Sequence, residues 1–509
     1  MTKRDQADST GPLLSAVTAL GFFVAAPLAF GAPGADACMA LSKAAFPQTT
    51  ISSAKEVAAS ESTKTPAFCE VSGVVSPVPG SHIGVVYRLP DRWNGKLLGL
   101  GGGGWAGNVR LETAAAGLNR GYATAQTDAG HDTTSLWGTA WAESQPQVDD
   151  FAHRAIHLMT TTGKAVVAEY YGEPQKRAYF QGCSTGGRQG LMEAQRYPDD
   201  YNGVIAGAPV YTLTTQTTGL LRSQAFSKPG AGVSAAQLSL LNDAALAACD
   251  TADGVKDGIV PDPRACKFNP AVLQCKQGQS GDSCLTSAQV TAVRAMYSGV
   301  KTPHGEFAAY PLSRGGERGW DRFIATSPPA DAKAPGTSAS GGGMGGLRTL
   351  LFSDANFDLS KFGVDRDFAT VRSSAFAKEY EAKDPNLAPF FSKGGKLILW
   401  HGFDDPGPSP LGTIEYYQNV QKATGAAEVN SDMRFYLLPG VYHCRGGPGA
   451  DTFDSVAALD AWVDQGKPPE TLLAKRTDGK LSRPLCRYPA EPHYKGSGDP
   501  GSAESFECK

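Results

Sequence analysis

Gly182-Cys183-Ser184-Thr185-Gly186 sets a serine hydroxyl in a Gly-x-Ser-x-Gly frame, between the strand-like Ala178-Tyr179-Phe180 and a helical stretch from Arg188 to Arg196. A serine so framed sits on a tight strand-to-helix turn, where larger flanking side chains would strike neighbouring backbone, and its oxygen is offered as a nucleophile. A hydroxyl attacks poorly near neutral pH. It needs an imidazole to take its proton and a carboxylate to orient that imidazole. Both occur downstream, each just after a predicted strand: Asp404 and Asp405 follow Lys396–Trp400, and His443 follows Arg434–Leu438. His443 stands out among the eight histidines because Cys444 follows it, just as Cys183 precedes Ser184. A bond between those cysteines would hold the base beside the nucleophile.

The tetrahedral intermediate of acyl transfer carries negative charge on the former carbonyl oxygen, which two convergent backbone N–H groups stabilise best. One is expected from Thr185. The other is expected from the run Gly101–Gly104, centred on Gly102 and Gly103, where missing side chains let backbone approach a substrate. Trp105 closes that run and is expected to touch the substrate. A second cluster spaces Asp250, Asp253 and Asp257 through a glycine-containing loop ending at Ile259, flanked by Cys249 and Cys266. Hard oxygen donors in that arrangement suit calcium, although the ligand frame is not that of an EF-hand and no glutamate closes the loop. The flanking cysteines mark it as a structural site, expected to lie remote from the serine.

Elements that could position these groups alternate along the chain. Ile83–Leu89, Lys96–Leu100 and Tyr122–Gln126 read as strands, a helical pattern from Phe151 to Tyr171 leads into the elbow strand, and Gly203–Ala206 resumes the sheet. Phe453–Gln465 reads as a closing amphipathic helix. The alternation predicts an α/β fold with a mainly parallel sheet covered on both faces. Between residues 209 and 393 the rhythm breaks, with four cysteines and a Gly/Ser-rich stretch at 336–346. That segment is expected to be a lid inserted into a core made of residues 38–208 and 394–509.

At 509 residues the chain exceeds the usual single-domain length, which agrees with one large core carrying an insertion. Lys+Arg 47 against Asp+Glu 50 leaves a formal charge of -3 with no long run of either sign, which argues against nucleic acid as a partner. Lys3 and Arg4 followed by the apolar stretch from Leu13 to Phe30 read as a secretory signal within residues 1–37, with cleavage after Gly31 or Ala37. No later segment approaches the roughly 20 apolar residues needed to span a bilayer, so a soluble secreted or periplasmic chain without stable membrane association is expected. All ten cysteines follow Ala37, an even set that favours disulfides. Spacing suggests Cys38/Cys69, Cys249/Cys266, Cys275/Cys284 and Cys486/Cys508, which leaves Cys183 and Cys444 for each other.

Taken together, the Gly-Cys-Ser-Thr-Gly-Gly-Arg-Gln-Gly run, the His-Gly-x-x-Asp segment at 401–405, His443-Cys444 and the Asp250–Ile259 loop resemble the tannase and feruloyl esterase family. The resemblance extends from about Cys38 to Cys508. It implies an α/β-hydrolase core with a large inserted lid, and a Cys183–Cys444 bridge beneath a triad of Ser184, Asp405 and His443. It also implies calcium held by the side chains of Asp250, Asp253 and Asp257 and the carbonyls of Val255 and Ile259, with no organic cofactor. The implied activity is hydrolysis of aromatic-acid esters through an acyl-enzyme. A bacterial branch of that family hydrolyses mono(2-hydroxyethyl) terephthalate and holds the free carboxylate with a lid arginine; Arg348, followed four positions later by Phe352, is similar to that substrate-binding pair. A different class, a catalytically inactive hydrolase-fold binding protein, is disfavoured by the intact Ser, Asp and His set.

Overall fold

A computed structural model describes residues 34–131, 136–322 and 344–509. The signal segment up to residue 33 and the Gly/Ser-rich residues 336–343 therefore lie outside the described residues. Nine strands form the main sheet: β1 (Thr49–Val57), β2 (Phe68–Val75), β3 (Ile83–Pro90), β4 (Lys96–Leu100), β5 (Ala123–Thr127), β6 (Arg177–Cys183), β7 (Gly203–Gly207), β8 (Lys396–Gly402) and β9 (Met433–Leu438). Their spatial order is β1-β2-β3-β5-β4-β6-β7-β8-β9. From β5 to β9 every neighbouring pair runs parallel. β1, β2 and β3 add an antiparallel edge, joined to the rest through β3 and β5.

The parallel strands read as continuous apolar runs because helices cover both of their faces. Successive side chains still alternate between the two sides of the sheet. Phe180, Val204, Leu397, Leu399 and Phe435 enter one core. Tyr179, Ile205, Ile398, Trp400 and Tyr436 enter the other. Among the described residues no helix is long and apolar enough to cross a membrane.

β7 and β8 pair in register from Gly203/Lys396 to Gly207/Trp400, yet residues 208–395 lie between them in the chain. Part of that insertion builds its own core around Val233, Leu241, Leu285, Val293 and Trp320. The bridges Cys249–Cys266 and Cys275–Cys284 staple it. Another part sends Leu351, Phe376 and Tyr380 to pack with Trp105, Trp141 and Phe151 of the sheet domain. Two further bridges, Cys38–Cys69 and Cys486–Cys508, tie down the chain near its two ends.

Candidate active site

β6 delivers Ser184 into a turn with φ 65° and ψ -122°, a left-handed conformation rare for a residue with a side chain. Such a conformation is unfavourable by about 1–3 kcal/mol and persists only where the surroundings over-determine it. Here the flanking glycines do so. A Cβ on Gly182 would lie 2.5 Å from the Gly186 carbonyl carbon, and one on Gly187 would lie 2.2 Å from the Gly207 carbonyl oxygen. The Ser184 N–H donates to that same Gly207 carbonyl at 3.0 Å, tying the elbow to β7.

The loops after β8 and β9 bring two more groups to the serine. His443 Nε2 lies 2.9 Å from Ser184 Oγ, and its Nδ1 lies 2.7 Å from Asp405 Oδ2. Cys183 and Cys444 are bonded at 2.04 Å, so adjacent residues of the serine and histidine loops are covalently joined across 261 positions. Burial alone would raise the Asp405 carboxyl, but the positive potential of His443 and hydrogen bonds from His401 and His443 outweigh it and hold it down at about 2. The carboxylate is thus ionised throughout the pH range of ordinary ester hydrolysis. Asp404 faces elsewhere. It is buried, neither oxygen has a hydrogen-bond partner among the described residues, and burial together with nearby Glu317 pushes its carboxyl well above the usual range.

His401 enters the site without having been singled out by residue type; the signal was its fixed place, four residues before Asp405 at the end of an apolar strand. It is fully buried, with Nε2 at 3.1 Å from Asp405 Oδ2 and Nδ1 at 2.8 Å from Thr413 Oγ1.

The oxyanion donors need one correction. Thr185 begins the helix Thr185–Arg196, and its N–H has no partner among the described residues, as first-turn amides commonly do not. Gly102 and Gly103 are already spent. The Gly102 N–H donates to Gln189 Oε1 at 2.9 Å, and the Gly103 N–H closes a tight turn onto the Ala106 carbonyl at 3.2 Å. The next N–H, that of Gly104, has no partner among the described residues. Its residue takes φ 58°, and its carbonyl accepts from Thr185 Oγ1 at 2.6 Å.

A cavity of about 540 Å³ opens over Ser184, lined among others by Gly104, Trp105, Leu136, Trp137, Val210 and Arg222. That volume suits a small organic ligand. Leu136 and Trp137 are 51% and 40% exposed, unusual for large apolar side chains, and form an apolar lip. Trp105 is among the lining residues, with its side chain largely buried in the adjoining core. Arg348 and Phe352 do not line this cavity. They occupy the short helix Arg348–Phe352 of the insertion, where Phe352 stacks on Phe357 at 3.8 Å. Arg348 keeps a buried Nε that lacks a partner among the described residues.

In the Asp250–Ile259 loop the carboxylates turn toward loop amides: Asp250 Oδ1 accepts from Asp257 N and Gly258 N, and Asp253 Oδ1 accepts from Val255 N, all at 3.2 Å. Asp257 pairs with Arg483. Among the described residues no three metal-ligating side chains converge as a ready site. The donor chemistry nevertheless fits a hard cation. Burial raises the Asp253 carboxyl to about 6 and raises Asp257 against the pull of Arg483, a desolvation penalty on carboxylate charge that a divalent ion would offset. A gap of about 20 Å³ beside Asp253 and Asp257 is lined mostly by apolar side chains and by Arg483, and Asp250 is not among its lining residues. A Cβ on Gly440, in the turn leading to His443, would stand 3.1 Å from Ile259 Cγ1.

Comparison with known proteins adds to this geometry. A family model described as tannase and feruloyl esterase matches residues 69–509. A protein named "Probable feruloyl esterase" from Arthroderma benhamiae is 36% identical over 458 residues, covering 84% of this chain and 84% of its own. The mono(2-hydroxyethyl) terephthalate hydrolase of Piscinibacter sakaiensis is 33% identical over 515 residues, covering 87% of this chain and 85% of its own. The crystal structure of feruloyl esterase B from Aspergillus oryzae matches with a TM-score of 0.83 at 27% identity, over 93% of this chain and 100% of that one.

Proposed function

The chain belongs to the tannase and feruloyl esterase family, and from that premise we propose that it hydrolyses carboxylic esters of aromatic acids through an acyl-enzyme on Ser184. The observation that carries this reading is the hydrogen-bonded line Ser184–His443–Asp405, at 2.9 and 2.7 Å, beneath a cavity with an aromatic lip. In the first half-reaction Ser184 Oγ attacks the ester carbonyl while His443 Nε2 takes its proton. Asp405 Oδ2 holds the Nδ1–H, which fixes the tautomer and stabilises the imidazolium. The N–H groups of Thr185 and Gly104 receive the oxyanion. His443 then protonates the departing alcohol, and water repeats the sequence in reverse on the acyl-enzyme. Trp105 and Trp137 supply apolar surface for the ring. Labelling of Ser184 by a serine-directed fluorophosphonate, with hydrolysis of methyl ferulate or methyl gallate, tests the reading; an unlabelled, inert protein would instead be an inactive binding module.

In this reading residues 209–393 form a lid over the cavity. Five disulfides suit an oxidising compartment, so the protein works outside the cytoplasm. Calcium is held by Asp250, Asp253 and Asp257 with the carbonyls of Val255 and Ile259, and its role is structural. A ligand that binds only the native state stabilises it by mass action. Chelation should therefore lower the melting temperature, and because Ile259 abuts the turn before His443, activity should fall in parallel and return with added calcium. Metal analysis that finds no stoichiometric calcium would overturn this assignment.

A narrower reading, hydrolysis of mono(2-hydroxyethyl) terephthalate, rests on the 33% identical relative of that name and on the Arg348–Phe352 resemblance, although neither residue lines the cavity over Ser184. A guanidinium holds a carboxylate through two charge-assisted hydrogen bonds, and neutral galloyl or feruloyl rings offer no such partner. Arg348→Ala should then weaken kcat/KM for the terephthalate monoester by about 1.5–3 kcal/mol while sparing methyl gallate and methyl ferulate. Equal losses on all three esters would reject a carboxylate-reading role.

A further inference from the structure

His401 is a second histidine on the triad carboxylate, and the mechanism just described does not use it. The side chain is fully buried. Its Nε2 faces two groups that can only accept, Asp405 Oδ2 at 3.1 Å and the Pro408 carbonyl at 3.2 Å. The proton must therefore sit on Nε2. Its Nδ1 faces Thr413 Oγ1 at 2.8 Å, and in a neutral ring that nitrogen accepts from the threonine hydroxyl. Thr413 thus fixes the tautomer that points a donor at Asp405. The other carboxylate oxygen, Oδ1, accepts from the Gly407 N–H at 2.7 Å. Asp405 Oδ2 is then shared between two imidazoles, one catalytic and one held from behind.

From this arrangement we infer that His401 is a positioning residue that aims Asp405 at His443 and, by drawing on the same oxygen, moderates how strongly Asp405 stabilises the His443 imidazolium. The inference rests on the serine esterase reading above. The groups around Asp405 are few. His443 and His401 contact it, and Arg222, from the helix Thr214–Phe226, lies close by with its guanidinium on the Gly407 and Tyr310 carbonyls. Asp404 makes no side-chain hydrogen bond among the described residues, and burial together with Glu317 raises its carboxyl. None of these can replace a donor lost at Nε2.

Removing that donor leaves Oδ2 a stronger acceptor for His443 alone. The imidazolium is then better stabilised, so His443 stays protonated to a higher pH, and the acid limb of kcat/KM moves upward. A shift on the order of half to one pH unit is expected for one hydrogen bond to a charged group. Looser aim of the carboxylate should also lower the plateau on the order of tenfold. In His401→Gln the amide nitrogen can reach the former Nε2 position, whereas His401→Leu has no donor.

The test is the pH dependence of kcat/KM on methyl ferulate, followed by product separation, for wild type, His401→Leu, His401→Gln and Thr413→Val. The expected order of acid limbs places Leu highest, Val between, and Gln near wild type. Should the leucine variant fail to fold, the valine variant still carries the test, because it frees the tautomer without touching Asp405. Lower melting temperatures with unchanged limbs in the folded variants would reduce His401 to packing and overturn the inference. Ser184→Ala, assayed on the same ester, separates the two levels: turnover in that variant would sink the esterase reading itself.

Discussion

Ser184→Ala and His443→Ala should each lower kcat by roughly 10⁴–10⁶-fold while leaving the melting temperature close to wild type. The loss is large because the two side chains act as one unit: without His443 the hydroxyl keeps its proton, and without Ser184 there is nothing to acylate. The residual rate reflects oxyanion stabilisation and binding. Asp405→Asn should fall by about 10⁴-fold, because an amide in that place selects the wrong imidazole tautomer. Asp404→Asn should be far milder. Neither Asp404 oxygen makes a hydrogen bond among the described residues, and burial disfavours its charge, so an amide of the same shape removes no contact to His443. Steady-state kinetics on one ester, with fluorophosphonate labelling as an independent count of competent serines, decides the matter. Near wild-type turnover in either alanine variant, or the reverse ranking of the two aspartates, would break the assignment.

Replacing both Cys183 and Cys444 by serine should reduce activity more visibly than it reduces the melting temperature. Closing a loop of 261 positions restricts the unfolded chain by about 5–6 kcal/mol in the chain-entropy account, which strain commonly reduces. In a chain of this length each kcal/mol moves the melting point by only about 1 °C. A fall of a few degrees is expected. Catalysis is more sensitive, because the bridge anchors the residue after His443 to the residue before Ser184, and a displacement of about 1 Å between reacting groups can lower the rate on the order of 100-fold. Peptide mapping under non-reducing conditions should recover the linked pair from wild type. Free thiols at both positions, or full activity in the double serine variant, would refute the anchoring role.

Much of this was readable in residue order. The buried strands that carry the site were visible to within one to three residues, because runs such as Lys396–Trp400 bury both faces and need no partner to be recognised. β1 escaped notice. Its sequence, Thr49–Val57, is mostly polar and exposed, as suits an edge strand, and only its pairing with β2 makes it one. The elbow helix starts at Thr185 rather than Arg188, because Gly186 and Gly187, poor helix formers in isolation, are demanded there by backbone contacts with β7 and the Gly101–Gly104 run. The helix expected from Phe151 begins earlier, at Gln145, and passes through a wide turn, Asp150–Arg154, whose Phe151 and Ala152 carbonyls take the buried Arg188 guanidinium at 3.1 and 2.5 Å. That is a tertiary cause with no local signature. Choosing between neighbours required three dimensions as well: Asp404 and Asp405 have the same chemistry and the same loop, and the glycines from 101 to 104 differ only in where their amides already point.

The pairing of β7 with β8 across residues 208–395 has a consequence for how such a molecule can be remodelled. Loop-closure entropy grows only with the logarithm of length, about 0.6 kcal/mol for each doubling. The sheet is therefore almost indifferent to how long the intervening segment is, provided both ends return to adjacent strands. Ser184, Asp405 and His443 are all attached outside that segment, so their mutual distances do not depend on its length. The segment can therefore vary in length, provided Arg222 keeps its place beside Asp405 and Ile259 its place beside the turn before His443. Grafting a corresponding stretch from a relative between residues 207 and 396 should alter which ester is accepted while preserving the rate-determining machinery, a separation of choice from chemistry that the chain's connectivity builds in.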